Sequence, residues 1–436
     1  MENRKLFTFA AIAKKMIPES IYSTLRSFLN FRLYRKEIML TQKYALQISE
    51  KPKKDRITIV FIIWAESMWN SLRSVYEMAK QDERFDAYIL AQPHITDRMG
   101  KENQNPCFDF LSALYKNVID ARADDGWFDL ASLNPDYVFY TYPYTQYYCE
   151  AYNPANVRKY AKVCLIQYGY NLLKNATFDT TYNAFFSKNV AIQFVSCNSA
   201  YRKLSRCYGM KKVINRGYPK ITNLGFPRFD LVAKVRQDSC KPCVLWTPRW
   251  WVVSSGRSYN DGSKFLLFYK DFLRFATAHE DVAFIIRPHP LMFQNFLAKG
   301  IMTQSEIDEF REQCASLGNI TIDENSDYQN SINKASIFLA DISSLLVEFF
   351  VTGKPVIFCA DGKNFLPEAK AMDSALSLYH AKNWSEVEML LDKLLMGNDE
   401  MKECRISAIQ DFLPQKSMTA ADAILGYICA DYYKNQ

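Results

Sequence analysis

The first clear pattern along the chain is "ITIVFII" (57–63), seven apolar residues in a row, which predicts a strand buried on both faces. "SMWNSLRSVYEMAKQ" (67–81) then reads as a helix and "FDAYILAQ" (85–92) as a second strand. "PDYVFYTYP" (135–143) and "AKVCLIQYG" (161–169) supply a third and a fourth. Short apolar runs alternating with helical stretches predict βαβ units and a parallel sheet. "RGYPKITNLGFPRFD" (216–230), rich in Gly and Pro, breaks the rhythm and marks an expected domain boundary. The alternation restarts with strands at "CVLWTP" (243–248), "VAFIIRPHP" (282–290), "NITIDE" (319–324), "SIFLAD" (336–341) and "KPVIFCAD" (354–361). A helix is expected over "SKFLLFYKDFLRFATAH" (263–279), and the pattern is helical from 384 on. The expected organisation is an α/β fold of two Rossmann-like, doubly wound domains, 56–225 and 226–383. A helical arm (1–55) precedes them and a helical tail (384–436) follows.

Length agrees, since 436 residues exceed what one ordinary core organises. A composition 49% apolar and 23% charged is that of a globular protein, and no uncharged run reaches the roughly 18 residues of a membrane span. The early apolar run "LFTFAAIA" is cut off by Lys14 and Lys15 without a small-residue cleavage site, so a secretory signal is not expected. The eleven cysteines are scattered apart from "CKPC" (240–243), which has no second ligand pair nearby. They read as reduced thiols of a cytoplasmic protein rather than as a zinc site.

Charge changes the picture at one end only. Residues 1–56 hold thirteen Lys/Arg against five acids while the whole chain is +7, so the body is close to neutral. Ile21, Leu25, Phe28 and Leu29 form an apolar stripe beside these bases, interrupted by Arg32 close to it. This suits residues 1–40 either to the anionic inner face of a membrane or to packing on the protein's own body. Without a basic stripe on the body, a nucleic-acid partner is not expected.

In open parallel sheets, ligands bind outside the carboxyl ends of the strands. In the second half three strand ends carry chemistry: Thr247 and Arg249 in "VLWTPRW", Arg287 and His289 in "FIIRPHP", and Asp341, Ser343 and Ser344 in "IFLADISS". Asp341 or Ser343 also suits the cap of the following helix, which Gly353 and Pro355 should end. Two Arg, one His and several hydroxyls converging on one crevice predict a phosphate or pyrophosphate site. No Walker loop, GxGxxG, G-x-S-x-G or HExxH occurs.

"GFPRFDLV" (225–232), "RPHP" (287–290) and "DISSLLVEFFVTGKPVIF" (341–358), in that order, resemble the CDP-glycerol glycerophosphotransferase family of teichoic-acid and related polymers. The resemblance implies a GT-B-like fold, two Rossmann-like domains with a cleft between them and the donor mostly on the C-terminal one. It implies transfer of glycerol phosphate from CDP-glycerol to a hydroxyl of a glycan or lipid-linked acceptor, with release of CMP. Arg287 and His289 would then hold the donor pyrophosphate, with Ser343, Ser344 and Asp341 beside them and Arg249 and Arg228 as further donors of hydrogen bonds. CDP-glycerol is the donor substrate and no cofactor is implied, although a phosphate donor can bring a divalent cation. One departure stands out. Where the family often carries W-H-G-T-P-L-K, this chain has "QYGYNLLKN" (167–175), with Gly169 kept but Tyr168 in place of the candidate basic His. A neutral Tyr, with a pKa of about 10, is a poor base at pH 7. Glu66 and His94, each just past a strand, are the alternative bases. Two other readings stay open: a GT-B glycosyltransferase using a nucleotide sugar, and a catalytically silent nucleotide-binding relative.

Overall fold

The computed structural model describes residues 19–95, 105–123, 126–170, 184–196, 198–207, 217–232, 241–250, 263–325, 327–341, 343, 345–359, 378–412 and 418–433. Side chains at 19–33, 184–185, 206–207 and 411–412 lie outside that description. The chain forms two compact units. The first comprises 1–169, 175–227 and 417–436, and the second 170–174 and 228–416.

The first unit is built on a seven-stranded sheet. Its strands are β1 (Ile57–Ile63), β2 (Phe85–Ala91), β3 (Val118–Asp120), β6 (Tyr137–Tyr140), β7 (Lys162–Ile166), β8 (Ile192–Phe194) and β9 (Lys220–Thr222). A small hairpin of β4 (Arg122–Ala123) and β5 (Gly126–Trp127) stands apart. The order β3-β2-β1-β6-β7-β8-β9 is parallel throughout. All seven residues of β1 are buried, as the unbroken apolar run predicts. Ile57, Ile59, Phe61 and Ile63 face one core with Trp69, Val75 and Tyr76, while Val60 and Ile62 face the other with Val138, Tyr140, Val163 and Leu165. Helices on both faces are what a parallel sheet requires. The expected helix at 67–81 is split into a 3₁₀ turn, Glu66–Ser71, and an α-helix, Arg73–Gln81.

The second unit repeats the design with β10 (Cys243–Thr247), β11 (Ala283–Ile286), β12 (Ile320–Ile322), β13 (Ile337–Ala340), β14 (Val356–Phe358) and β15 (Tyr379–His380). The order is β12-β11-β10-β13-β14-β15, again all parallel. Trp246 of β10 stacks on Phe272 of the helix Phe265–Ala278 at 4.8 Å between centroids, in a core shared with Phe284, Ile286 and Leu339. The two α/β units have the doubly wound architecture expected of the sequence.

The chain leaves the first unit after Pro227, within the expected boundary segment 216–230, which also holds β9. Of the two readings of the helical arm, its described half follows packing on the protein's own body. One helix runs Glu19–Ser49, and its described second half docks on the first unit: Arg158 donates to the Glu37 carbonyl (2.9 Å) and to Thr41 (2.8 Å), and Thr41 donates to the Lys188 carbonyl (2.6 Å). Residues 384–436 are not a separate tail. The helix Trp384–Leu395 buries Trp384, Val387 and Leu391 in the second unit, whereas Ala420–Tyr433 buries Ile424, Leu425 and Ile428 in the first. Apolar periodicity reveals that a helix has a buried face but not which core it meets. The stripe residues Ile21, Leu25, Phe28 and Leu29, and Arg32 beside them, have side chains outside the described residues.

Candidate functional site

In the second sheet the chain runs outward through β10, β11 and β12, then returns to the other side of β10 with β13. This reversal is a switch point, where neighbouring loops part and leave a crevice. Thr247 ends β10 opposite Ala340 of β13, so Asp341 follows at once on the adjacent strand. His289 is tied to the same place by its N–H, which donates to the Pro248 carbonyl at 3.3 Å. The three strand ends singled out in the sequence are therefore neighbours.

Asp341 is fully enclosed, and its Oδ2 accepts the backbone N–H of Arg249 and of Lys264, both at 3.0 Å. One carboxylate thus pins both flanks of the segment between those residues. Burial pushes its pKa up to about 6 despite those bonds and the charges of Lys264 and Arg249. Asp341 Oδ1 and the buried hydroxyl of Thr247 meet no hydrogen-bond partner among the described residues, so two polar atoms at this edge are left for something else. Lys264, 4% exposed, was not singled out from the sequence. It stands immediately ahead of an apolar helical run, where a lysine ordinarily reads as a solvated flank.

His289 lies at the surface as a residue, but its ring is turned inward and lies 5.8 Å from the Trp250 ring. Its Nδ1 accepts the Leu291 N–H at 3.2 Å, so the neutral ring carries its proton on Nε2. Desolvation, then the charge of Arg249, lowers its pKa to about 4, leaving it neutral at pH 7. Arg249 acts on both His289 and Asp341 and belongs to this cluster.

Two arginines have other duties. Arg287 donates to Asp323 (2.7 Å) and to the Asn325 carbonyl (2.5 Å), with its guanidinium 5.7 Å from the Tyr328 ring. These contacts fix the exit of β11 against that of β12 and hold the Arg287 guanidinium in place at the strand end. Arg228 is 4% exposed, pairs with the fully buried Glu348 at 3.2 Å and donates to the Tyr328 hydroxyl, which in turn donates to Glu348 at 2.5 Å. The expectation that Arg228 contacts the donor gives way to a buried ion pair, because its partners lie inside the unit. Ser343 makes the capping bond also expected of it: its Oγ accepts the Leu345 N–H at 3.2 Å at the start of the helix Leu345–Phe350. Gly353 follows with φ +79°, the left-handed stop expected there. Ser344 lies outside the described residues.

At the corresponding edge of the first sheet, the ends of β2, β1, β6 and β7 carry aromatic rings. Trp64 stacks parallel on Tyr147 at 5.0 Å and meets His94 edge-on at 4.6 Å and Tyr142 at 5.0 Å. Tyr142 in turn meets Tyr144 at 4.6 Å and Tyr168 at 4.9 Å. All but Trp64 are half-buried. Fully buried polar groups hold the loops in place: Gln92 donates to the Tyr147 carbonyl (2.8 Å) and accepts the Cys149 N–H (3.3 Å), and Ser71 donates to the Tyr168 carbonyl (2.9 Å). Burial lowers the pKa of His94 and so keeps it neutral at pH 7. Glu66 is half-buried just past β1. At Gly169 a Cβ would meet no described residue within 4 Å. Among the described residues no group of three or more His, Cys, Asp or Glu is placed to hold a metal ion.

Several solved structures share the fold. Wall teichoic acid polymerase TagF superposes with a TM-score of 0.54 at 14% identity, covering 94% of this chain and 98% of that one. A TagF variant soaked with CDPG gives 0.55 at 14%, with the same coverage. UDP-GlcNAc 2-epimerase from Neisseria meningitidis, bound to UDP-GlcNAc, gives 0.54 at 14%, covering 87% and 100%. No curated protein matches in sequence. These likenesses agree with a GT-B-like pair of Rossmann-like units, and the sequence itself is more specific. Residues 47–424 match the family described as CDP-glycerol:poly(glycerophosphate) glycerophosphotransferase, so the chain belongs to that family of enzymes, which transfer glycerol phosphate from CDP-glycerol.

Proposed function

We propose that the pyrophosphate of CDP-glycerol binds at the switch point of the second sheet, against His289, Arg249 and the Thr247 hydroxyl. The observation that carries this reading is the His289 tautomer, whose Nε2–H is left as a donor beside Arg249. An acceptor hydroxyl attacks the phosphorus that bears glycerol, and the bond from that phosphorus to the CMP phosphate breaks. CMP leaves with the bonding electrons, and the hydroxyl proton passes to a base. Such transfer rests on positioning and on neutralising charge at the leaving oxygen, which a fixed imidazole N–H and a guanidinium supply. The test is incubation with CDP-glycerol, CDP-ribitol and a set of UDP-sugars, following release of CMP or UDP. Release of UDP alone would favour a glycosyltransferase, and CDP-glycerol binding without turnover a silent relative.

Because Tyr168 replaces the family's His, the proton goes elsewhere, and His94 suits the task better than Glu66. Burial holds its pKa below the ordinary value, so the ring is a neutral proton acceptor, and it shares the ring cluster that includes Tyr168. His94→Gln should lower kcat about 10²–10³-fold, as loss of a general base does, with CDP affinity unchanged. Glu66→Gln should change kcat far less. The opposite ranking would give the role to Glu66.

The acceptor is a hydroxyl of a glycan or lipid-linked primer of a wall or capsule polymer. The enzyme works in the cytoplasm at the inner membrane face, held by the basic N-terminal segment. No helix among the described residues is long and apolar enough to cross a membrane. Deleting residues 1–33 removes Arg4, Lys5, Lys14, Lys15, Arg26 and Arg32 but keeps the docked helix from Tyr34 onward. At about 1 kcal/mol per basic residue near an anionic surface, the truncated enzyme should no longer sediment with phosphatidylglycerol vesicles. Sedimentation equal to that of the full chain would dismiss this segment as the anchor.

A further inference from the structure

Three segments singled out in the sequence each send a charged side chain to one tyrosine that belongs to none of them. Arg228 of "GFPRFDLV" donates to the Tyr328 hydroxyl, and its guanidinium lies 5.6 Å from the Tyr328 ring. That hydroxyl donates to Glu348 of "DISSLLVEFF" at 2.5 Å. The guanidinium of Arg287, from "RPHP", lies 5.7 Å from the same ring. We propose that Tyr328 is a positioning residue for the donor: its ring holds the Arg287 guanidinium at the end of β11, where that group meets the pyrophosphate. The proposal rests on the donor reading above, in that Arg287 and His289 follow the same strand.

Tyr328 is 5% exposed and stands at the start of the helix Gln329–Lys334, just beyond β12. The face of an aromatic ring attracts a cation, and more strongly where water is excluded. Packing alone asks for apolar neighbours around a buried ring, whereas this one has two guanidinium groups. Arg287 carries five N–H donors. One reaches Asp323 and one, on the other terminal nitrogen, the Asn325 carbonyl. The Nε–H and one N–H on each terminal nitrogen remain for the oxygens of an anion. Asp323 is itself fixed by the Ser331 hydroxyl and by the Asn325 N–H at 3.1 Å. The ring is fixed from its far end, because its hydroxyl is part of the buried Arg228–Glu348 pair. Hydroxyl and ring therefore have separable duties, the first toward the fold and the second toward Arg287.

The test titrates CDP into the full-length enzyme and measures KM and kcat with CDP-glycerol. Tyr328→Phe keeps the ring and should bind CDP within about twofold of wild type. It should melt about 5 °C lower, because a buried carboxylate loses a donor. Tyr328→Met should weaken CDP about fivefold or more. It should raise the KM for CDP-glycerol with little change in kcat, since the contact serves ground and transition state alike. Pentafluorophenylalanine in place of Tyr328 keeps the shape but reverses the polarity of the ring face, and should weaken CDP as Tyr328→Met does. In the Arg287→Met background, which itself weakens CDP, adding Tyr328→Met should cost nothing further. A tyrosine that serves packing alone would lower affinity equally with and without Arg287. That additivity, or wild-type affinity in both the fluorinated and the Met variants, would overturn the proposal. Unchanged CDP affinity in Arg287→Met would overturn it too, while leaving the donor with His289 and Arg249. Absence of CDP binding to wild type would remove both readings.

Discussion

Replacing His289 with alanine is expected to lower CMP release from CDP-glycerol by at least about 10²–10³-fold, the loss that follows removal of one preorganised donor to a developing charge. The fold should survive, because the residue lies at the surface and its side chain makes only the neighbouring Leu291 N–H bond, while the bonds to Pro248 and Met292 are made by the main chain that alanine keeps. His289→Asn is the sharper variant, since its amide can still accept from Leu291 but cannot reach as far as Nε2. It should melt like wild type and turn over like the alanine variant. The pH profile separates two roles for the ring. With its pKa lowered to about 4, His289 enters as a neutral hydrogen-bond donor, so its titration should impose no decline in donor kcat/KM between about pH 6 and 8. A decline on raising the pH through about 6.5 that vanishes in His289→Asn would make it an imidazolium acid. The same shift has a stability consequence of fixed sign. Below about pH 6.5 the unfolded chain takes up a proton that the folded ring refuses until about pH 4. This stabilising contribution is full above the first value and lost as pH falls toward the second. Wild-type activity in His289→Ala would end the site assignment.

The sequence made legible whatever depends on neighbours along the chain. β1 was read to the residue because seven apolar positions admit few alternatives, and the polar residues after β10, β11 and β13 were legible because strands stop where apolar runs stop. Short β3, β8 and β9 were missed: three-residue strands in which polar residues interrupt the apolar run lack a periodic signal. What a side chain touches across the fold was harder still. Arg287 and Arg228 look like phosphate ligands because guanidinium groups at motif positions usually are. Their carboxylate partners, Asp323 and Glu348, lie 36 and 120 residues away, and nothing local announces them. Tyr328, between the two, was invisible for the same reason. The aromatic cluster is the clearest case. Its members span residues 64–168, and only the order β2-β1-β6-β7 assembles them. Tyr168 thereby changes meaning, from the place where a catalytic His is missing to one ring among several at the carboxyl ends of the first sheet's strands.

Asp431→Ala should destabilise the protein by about 3–5 kcal/mol, the cost of stranding buried partners of a deleted charge. Asp431 is reached only because the helix Ala420–Tyr433 returns to the first unit. Its side chain has no exposure, and Oδ2 accepts from Lys162 at 2.6 Å and from the Tyr137 hydroxyl at 2.7 Å. Oδ1 accepts from the Tyr218 hydroxyl at 2.7 Å and pairs with Lys220. Although burial pushes its pKa up, Lys162 and Lys220 hold it down to about 2. The stability this supplies is present above the unfolded carboxyl's value near 4 and is lost as pH falls toward 2. Removing the carboxylate leaves two ammonium groups facing each other inside the unit, so the melting temperature should drop by roughly 10 °C. Replacing all three charged residues, as Lys162→Met, Lys220→Met and Asp431→Leu together, should recover most of that loss, since apolar packing can stand in for a buried ion pair. Tyr137, Lys162 and Lys220 open β6, β7 and β9, which puts the network at the amino ends of the strands and the aromatic cluster at the carboxyl ends. Turnover per folded molecule should therefore stay close to wild type below the lowered transition. A variant that melts normally but turns over slowly would instead tie this network to the acceptor edge of the sheet.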